Sequence, residues 1–202
     1  MEFFKYGKTE INYLKSACPK LAAVINRAGI LRRKVEPVLF KALISSIVSQ
    51  QISTKAAATV FTRLEELVGE EMTAESILAK TDAEIKACGL SYRKVGYIKG
   101  ICEAVSSGEL DLDGLNEMCD AEVIAELVKL NGIGVWSAEM FLTFSLFRPD
   151  VLSYGDLVIR KGIMKLYNLD DISKKDFEKY RKLYSPYGTV ASIYLWDLAN
   201  EG

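Results

Sequence analysis

The 202-residue sequence contains no histidine. That absence removes Ser–His and Cys–His nucleophilic sites, histidine-ligated zinc and any imidazole proton shuttle. Acid–base chemistry is left to carboxylates, lysine, tyrosine and cysteine. No apolar run approaches the roughly 20 residues of a membrane helix, and the opening Met1-Glu2-Phe3-Phe4-Lys5-Tyr6-Gly7 lacks the basic-then-apolar order of a secretory signal. The expectation is a cytoplasmic protein that engages no membrane. Cys18, Cys88, Cys102 and Cys119 are scattered, without a C-x-x-C pair. Metal-ligand spacing and a disulfide scaffold are thereby excluded, and reduced, mostly buried thiols are expected. An excess of one charge is missing as well: 26 basic residues face 27 acidic ones, for a net charge of −1 and a pI near 5.7. Such a chain does not coat nucleic acid or anionic membrane by bulk charge.

What is present is a globular composition, 50% apolar and 26% charged, with length enough for one or two compact domains. Apolar residues recur at helical spacing almost throughout, and strand-like alternation is hard to find. Leu39, Leu43, Ile44, Ile47 and Val48 form one stripe. Ser53 caps a helix that Gly69 closes, Thr73 opens a short one, and Thr81-Asp82-Ala83-Glu84 reads as a capping box. Ser91 starts a helix ended by Gly108, and Asp120 is expected to cap the helix of Val123, Ile124, Leu127 and Val128. A helix from Val135 to Phe147 carries Trp136, Met140, Phe144 and Phe147 at spacings of four, four and three before Pro149 stops it. Helices around 157–166, 174–183 and 189–198 finish an all-α chain of about ten short helices. Between Lys99 and Lys129 lie eight acidic residues and no basic one, whereas Lys129 to Lys165 holds five basic against three acidic. Solvated helix faces account for the acidic stretch.

Within the basic stretch, Leu130-Asn131-Gly132-Ile133-Gly134-Val135 joins two helices through G-x-G. Glycine allows positive φ and close backbone approach. Amides at the start of the second helix lack intrahelical acceptors and lie at its positive dipole end, which suits an anion such as phosphate. On G-x-G alone, an ordinary helix–helix connection is the commoner explanation.

Five segments in order extend the picture. Leu130 to Ala138 resembles the hairpin of the helix–hairpin–helix (HhH-GPD) DNA glycosylases, and Asp150-Val151-Leu152-Ser153-Tyr154-Gly155-Asp156-Leu157-Val158-Ile159 follows where that superfamily has its catalytic aspartate. Ile47-Val48-Ser49-Gln50-Gln51-Ile52-Ser53 resembles the Q-Q-x-S segment of the alkylbase branch. Gly89-Leu90-Ser91-Tyr92-Arg93-Lys94-Val95, and Tyr184-Ser185-Pro186-Tyr187 through Trp196, are further matches. The likeness runs from residue 40 to residue 196 and points to the 3-methyladenine DNA glycosylase II type, in a compact form without an extra N-terminal domain.

The resemblance implies two helical subdomains with the active-site cleft between them. One spans 36–149 and includes the hairpin at 120–147; the other combines 1–35 with 150–202. It implies a monomeric, nucleoid-associated enzyme of base excision repair that flips alkylated purines, 3-methyladenine and 7-methylguanine, out of double-stranded DNA and removes them. Asp156 is the implied catalytic carboxylate, although an aspartate before Leu157-Val158-Ile159 also reads as a helix N-cap. Trp136, Trp196, Tyr154, Met140 and Leu157 are the implied base pocket; core packing is the usual role of such tryptophans. Met140 and Leu157 stand where the broad-specificity bacterial enzyme has tyrosines, and Gly155 where it has a second acidic residue. DNA contacts are implied for Gly132, Ile133, Gly134, Gln50, Gln51, Ser53 and Lys161, with Gln51 at the inserting position. Bifunctional relatives carry a lysine two residues after the second glycine; Trp136 is there instead, so no imine-forming lyase chemistry is expected. The last cysteine is Cys119, so no iron–sulfur cluster is expected, nor any other cofactor beyond a monovalent cation on the backbone carbonyls of Val128, Leu130 and Ile133. Alternatives are a same-fold glycosylase for oxidised or deaminated bases, and a catalytically inactive helix–hairpin–helix DNA-binding protein.

Overall fold

A computed structural model describes residues 2–69 and 71–201; Met1, Glu70 and Gly202 lie outside them. The element order is β1 (Glu2–Phe3), α1 (Lys8–Ala17), α2 (Pro19–Ala28), β2 (Lys34–Val35), α3 (Leu39–Ser49), α4 (Thr54–Val68), α5 (Ala74–Leu78), α6 (Asp82–Ala87), α7 (Tyr92–Ser106), α8 (Asp120–Leu127), α9 (Val135–Phe144), α10 (Leu157–Tyr167), α11 (Lys174–Tyr184) and α12 (Gly188–Asn200). The all-α expectation is met, with one addition. β1 and β2 pair antiparallel, Glu2 opposite Val35 and Phe3 opposite Lys34, in a ribbon too short to leave a period in the sequence.

Local chemistry sets most helix starts. The Ser53 hydroxyl accepts from the Ala56 amide at 3.3 Å. Thr81 and Glu84 close a reciprocal box, the Thr81 amide donating to Glu84 at 2.8 Å and the Glu84 amide to the Thr81 hydroxyl at 3.3 Å. Asp120 is not the cap of α8 as expected; Cys119 holds that position, and its amide donates to the Glu122 carboxylate at 2.8 Å. A glutamate three residues into a helix can close a box whatever side chain precedes it, because it satisfies a backbone group. α9 ends at Phe144, three residues before the expected Phe147, whose backbone is left-handed at φ 54°.

The chain divides into two compact units, Met1–Val35 with Leu142–Gly202, and Glu36–Phe141. The sequence reading placed residues 142–149 with the hairpin; they group with the first unit. The reason is visible at α12, where the Thr189 hydroxyl donates to the Arg148 carbonyl at 2.6 Å and the Thr189 amide to the Pro149 carbonyl at 3.0 Å. In the first unit α12 is the central element, buried at every residue from Gly188 to Trp196. It lies against α10 so closely that a Cβ on Gly162 would fall 2.4 Å from the Leu195 carbonyl oxygen. Leu14, Leu21, Ile163, Phe177 and Tyr184 fill the space around it. In the second unit Leu43, Ile44, Ile47, Leu64, Ile98 and Leu127 form the core, each such side chain worth about 1.5–3 kcal/mol of burial. Among the described residues no helix is long and apolar enough to cross a membrane.

Candidate active site

The expected site residues fall in both units. The first holds Tyr154, Asp156, Leu157, Lys161 and Trp196; the second holds Gln50, Gln51, Ser53, Val128, Leu130, Gly132, Ile133, Gly134, Trp136 and Met140.

In the first unit, Asp156 is the N-cap of α10 and only 6% exposed. Its Oδ1 accepts from the amides of Val158 and Ile159 at 2.8 and 2.9 Å, so the helix start sets the carboxylate's orientation. The cap role read from the sequence is therefore real, and it aims a buried acid. The loop leading to Asp156 is clamped to α12. Asp150 accepts from the Ser185 hydroxyl at 2.5 Å and the Gly188 amide at 3.0 Å. The Val151 amide donates to the Thr189 hydroxyl at 3.0 Å, and the Ser192 hydroxyl donates to the Val151 carbonyl at 2.9 Å. Leu157, next to Asp156, is 62% exposed, and Lys161 is exposed one turn on.

Trp196 is 9% exposed. One ring neighbour is Phe144, stacked at 5.6 Å and 25°, and the Arg33 guanidinium lies 5.8 Å from its centroid. Neither neighbour was expected from the sequence; the four-residue spacing of Trp136, Met140 and Phe144 on α9 was the available signal, since it puts all three on one helix face. Tyr154 packs edge-on against Phe177 at 5.3 Å, and the Arg160 guanidinium sits 4.9 Å from its centroid.

In the second unit the hairpin joins α8 and α9. Gly132 has φ 92°, and a Cβ there would meet Tyr97 Cδ2 at 2.4 Å and Ile47 Cδ1 at 3.0 Å. Both backbone and packing demand glycine. Gly134 differs: its φ is ordinary and nothing lies within 4 Å of a Cβ built on it. Ile133 is buried and pins the loop, its amide donating to the Leu130 carbonyl at 3.1 Å. The Gly134 carbonyl accepts from Ala138 at 3.0 Å, which puts Gly134 at the start of α9, where the first amides have no acceptor within the helix. Trp136, in the first turn, is 47% exposed; Met140, one turn on, is partly covered. Val128 caps α8, so its carbonyl and that of Leu130 lie at the negative end of a helix dipole. Neutral carbonyl oxygens at such an end fit a singly charged cation. Among the described residues no group of three or more acidic or cysteine side chains gathers as a metal site.

The turn between α3 and α4 stands beside the hairpin. Gln50 turns its side-chain amide to the Gly132 carbonyl at 2.8 Å, so that amide is spent within the protein. Gln51 is exposed, with a left-handed backbone at φ 59°. Ser53 uses its hydroxyl as the α4 cap. Lys94, singled out in the sequence only within a motif, donates to the carbonyls of Val48 and Gln50 at 2.8 and 2.7 Å. Burial, and then the neighbouring Arg93 charge, push its ammonium below the usual lysine range.

Residues 44–186 match the model of the HhH-GPD superfamily of base excision DNA repair proteins. A DNA-3-methyladenine glycosylase of Saccharomyces cerevisiae is 33% identical over 198 residues, covering 80% of this chain and 67% of the relative. Among solved structures, a DNA-3-methyladenine glycosidase from Bacillus halodurans superposes with TM-score 0.88 and 38% identity, covering 100% of this chain and 94% of the other. The Schizosaccharomyces pombe 3-methyladenine DNA glycosylase in complex with abasic DNA gives TM-score 0.84 at 31% identity, covering 94% and 96%.

Proposed function

The chain belongs to the HhH-GPD superfamily of base excision DNA repair proteins, and we propose that it releases 3-methyladenine and 7-methylguanine from duplex DNA as a monofunctional, monomeric enzyme. It is a DNA glycosylase of the alkylbase-excising kind, and DNA is its partner. The finer assignment rests above all on Asp156, a buried carboxylate oriented by two amides in a loop clamped to α12.

The substrate brings much of its own activation. An N3- or N7-alkylated purine carries a positive charge, so breaking the C1′–N bond returns the bonding pair to a cationic base and leaves it neutral. What remains is the oxocarbenium-like sugar, which a nearby carboxylate stabilises by charge. Asp156 supplies that charge. Water then forms the new C1′–O bond and loses its proton, which Asp156 accepts or passes to solvent. No step requires imidazole, in keeping with a chain that has none. Trp136 and Trp196 hold the electron-poor base by stacking and cation–π attraction, with Tyr154, Met140 and Leu157 around them.

The amides at the Gly132–Gly134 hairpin grip a backbone phosphate. Gly134 lacks a side chain where the protein itself leaves open space, and that suits close approach of DNA. Ser53 and Lys161 add contacts, Gln51 fills the gap left by the flipped nucleotide, and Gln50 contributes by holding the turn. The carbonyls of Val128, Leu130 and Ile133 hold a monovalent cation when DNA is bound; no iron–sulfur cluster or other cofactor enters the reaction. A cytoplasmic, nucleoid-associated location belongs to the same reading.

The test is to incubate methylated duplex DNA with the protein and with Asp156→Asn, and to separate released bases by chromatography. Release of 3-methyladenine and 7-methylguanine by wild type alone is expected. A wild type that frees neither alkylated base would overturn the substrate, and an equally fast Asp156→Asn would overturn the mechanism.

A further inference from the structure

We propose that Lys94 is a positioning residue for nucleotide extrusion, fastening the Gln50-Gln51-Ile52 turn to α7 so that Gln51 is presented in fixed register with the hairpin. The inference rests on the proposed function in one respect, that Gln51 enters the DNA.

Helix α3 ends at Ser49. Near its end the Ile47 carbonyl accepts from the Gln50 amide at 3.3 Å and the Ser46 carbonyl from the Ser49 hydroxyl at 3.1 Å, while the Val48 carbonyl lies beyond the reach of the helix's own amides. Lys94 reaches across from the first turn of α7 and bonds two carbonyls, those of Val48 and Gln50. An ammonium suits this place because it meets the negative end of the α3 dipole. Its partial burial disfavours the charge, so a lysine serving only solubility gains nothing by lying here. The turn needs an outside hold. Gln51 is a non-glycine residue at φ 59°, a conformation that costs about 1–2 kcal/mol and persists only where surrounding contacts impose it.

The second hold comes from the hairpin. Gln50 donates to Gly132, and Gly132 packs against the Tyr97 ring, which a Cβ there would meet at 2.4 Å. Tyr97 follows Lys94 by three residues on α7. One helix turn therefore grips both elements, the wedge turn through Lys94 and the hairpin through Tyr97. A protein that must push a side chain into a stacked duplex needs such a brace, because the duplex pushes back with the few kcal/mol of unstacking.

The experiment reads insertion separately from bond cleavage. A duplex carrying 2-aminopurine beside a tetrahydrofuran abasic-site analogue is titrated with wild type, Lys94→Met and Lys94→Arg. Fluorescence reports local unstacking, and anisotropy reports affinity. Lys94→Met is expected to lose most of the brightening at saturation, Lys94→Arg to restore it, and thermal denaturation to show both variants folded. On a strand with a single 7-methylguanine, Lys94→Met should be about tenfold slower when the lesion is paired with cytosine, and far less affected when it faces an abasic site. Brightening by Lys94→Met equal to wild type overturns the inference, as does equal slowing on both substrates, which would mark a general structural role. A wild type that brightens the duplex but releases no base leaves the brace in place and overturns the proposed function.

Discussion

The side-chain amide of Gln50 donates to the main-chain carbonyl of Gly132 across 2.8 Å, joining positions 82 residues apart. A side chain thus reads the hairpin backbone from within the protein, while two residues on nothing lies within 4 Å of a Cβ built on Gly134. The consequence is a division of labour inside one six-residue loop. Part of it is held by the protein's own core, and part is left open.

The two hairpin glycines should separate these roles. Gly132→Ala puts a Cβ at φ 92° into the Tyr97 ring, and a loss of about 2–4 kcal/mol in chemical denaturation is expected. Gly134→Ala meets nothing within 4 Å and should leave stability within about 0.5 kcal/mol of wild type. Its effect should appear instead as weaker binding to abasic duplex, measured by anisotropy. A stable Gly132→Ala would contradict the packing.

Asp156→Asn keeps an oxygen that accepts from Val158 and Ile159, since asparagine caps helices about as well as aspartate. Melting temperature should barely move. Base release under single-turnover conditions should fall by about a hundredfold or more, because only the charge has gone. Asp156→Ala should fail in both respects, losing about 1 kcal/mol with the cap.

Between pH 8 and pH 3, stability should depend on pH only toward the acid end. With no histidine, little titrates between pH 5 and 8. Glu84, bonded by the Thr81 hydroxyl and amide, lies below its ordinary carboxyl range when folded, as do Glu122 through the Cys119 amide and Asp176 through Lys179. Their unfolded values are the usual ones, near 4.5 for glutamate and 3.8 for aspartate. The stability they add is therefore complete above those values and is lost as pH falls through the lower folded ones. Calorimetric scans from pH 8 to pH 3 should be flat, then fall, and Glu84→Gln should make the fall shallower.

Only one thiol should react in the native protein. Cys119 is exposed, whereas Cys18, Cys88 and Cys102 are buried, and burial pushes the Cys102 thiol up to about 12. One equivalent of maleimide is expected before denaturation and four after, with peptide mapping placing the first on Cys119.

Local signals carried the sequence reading far. Ser53, Thr73, Thr81 and Ser91 each begin a helix because a hydroxyl satisfies an amide two or three residues on, a bond that depends on near neighbours alone. Asp156 was legible as a cap for the same reason. The two N-terminal helices, α1 and α2, carry weaker marks: Gly7 begins one without a side-chain cap and the thiol of Cys18 caps the other, and neither is a strong start signal. What surrounds the site was less visible still. The reach of Lys94 to Val48, the Gln50 bond to Gly132 and the Phe144 stack on Trp196 join residues far apart in the chain, and no periodicity encodes such pairs.

The missing Cβ at Gly162 has a mechanical meaning. Helix α10 touches the backbone of α12 there, at Leu195, beside Trp196, and Asp156 stands at the near end of the same helix, about 9 Å along the axis at 1.5 Å per residue. Position 162 is thus a fulcrum, and α10 the arm that carries the acid. A methyl group at the fulcrum would lift the arm and shift the carboxylate it carries without altering Asp156 itself. The seat of the buried acid is gauged by an atom the sequence leaves out.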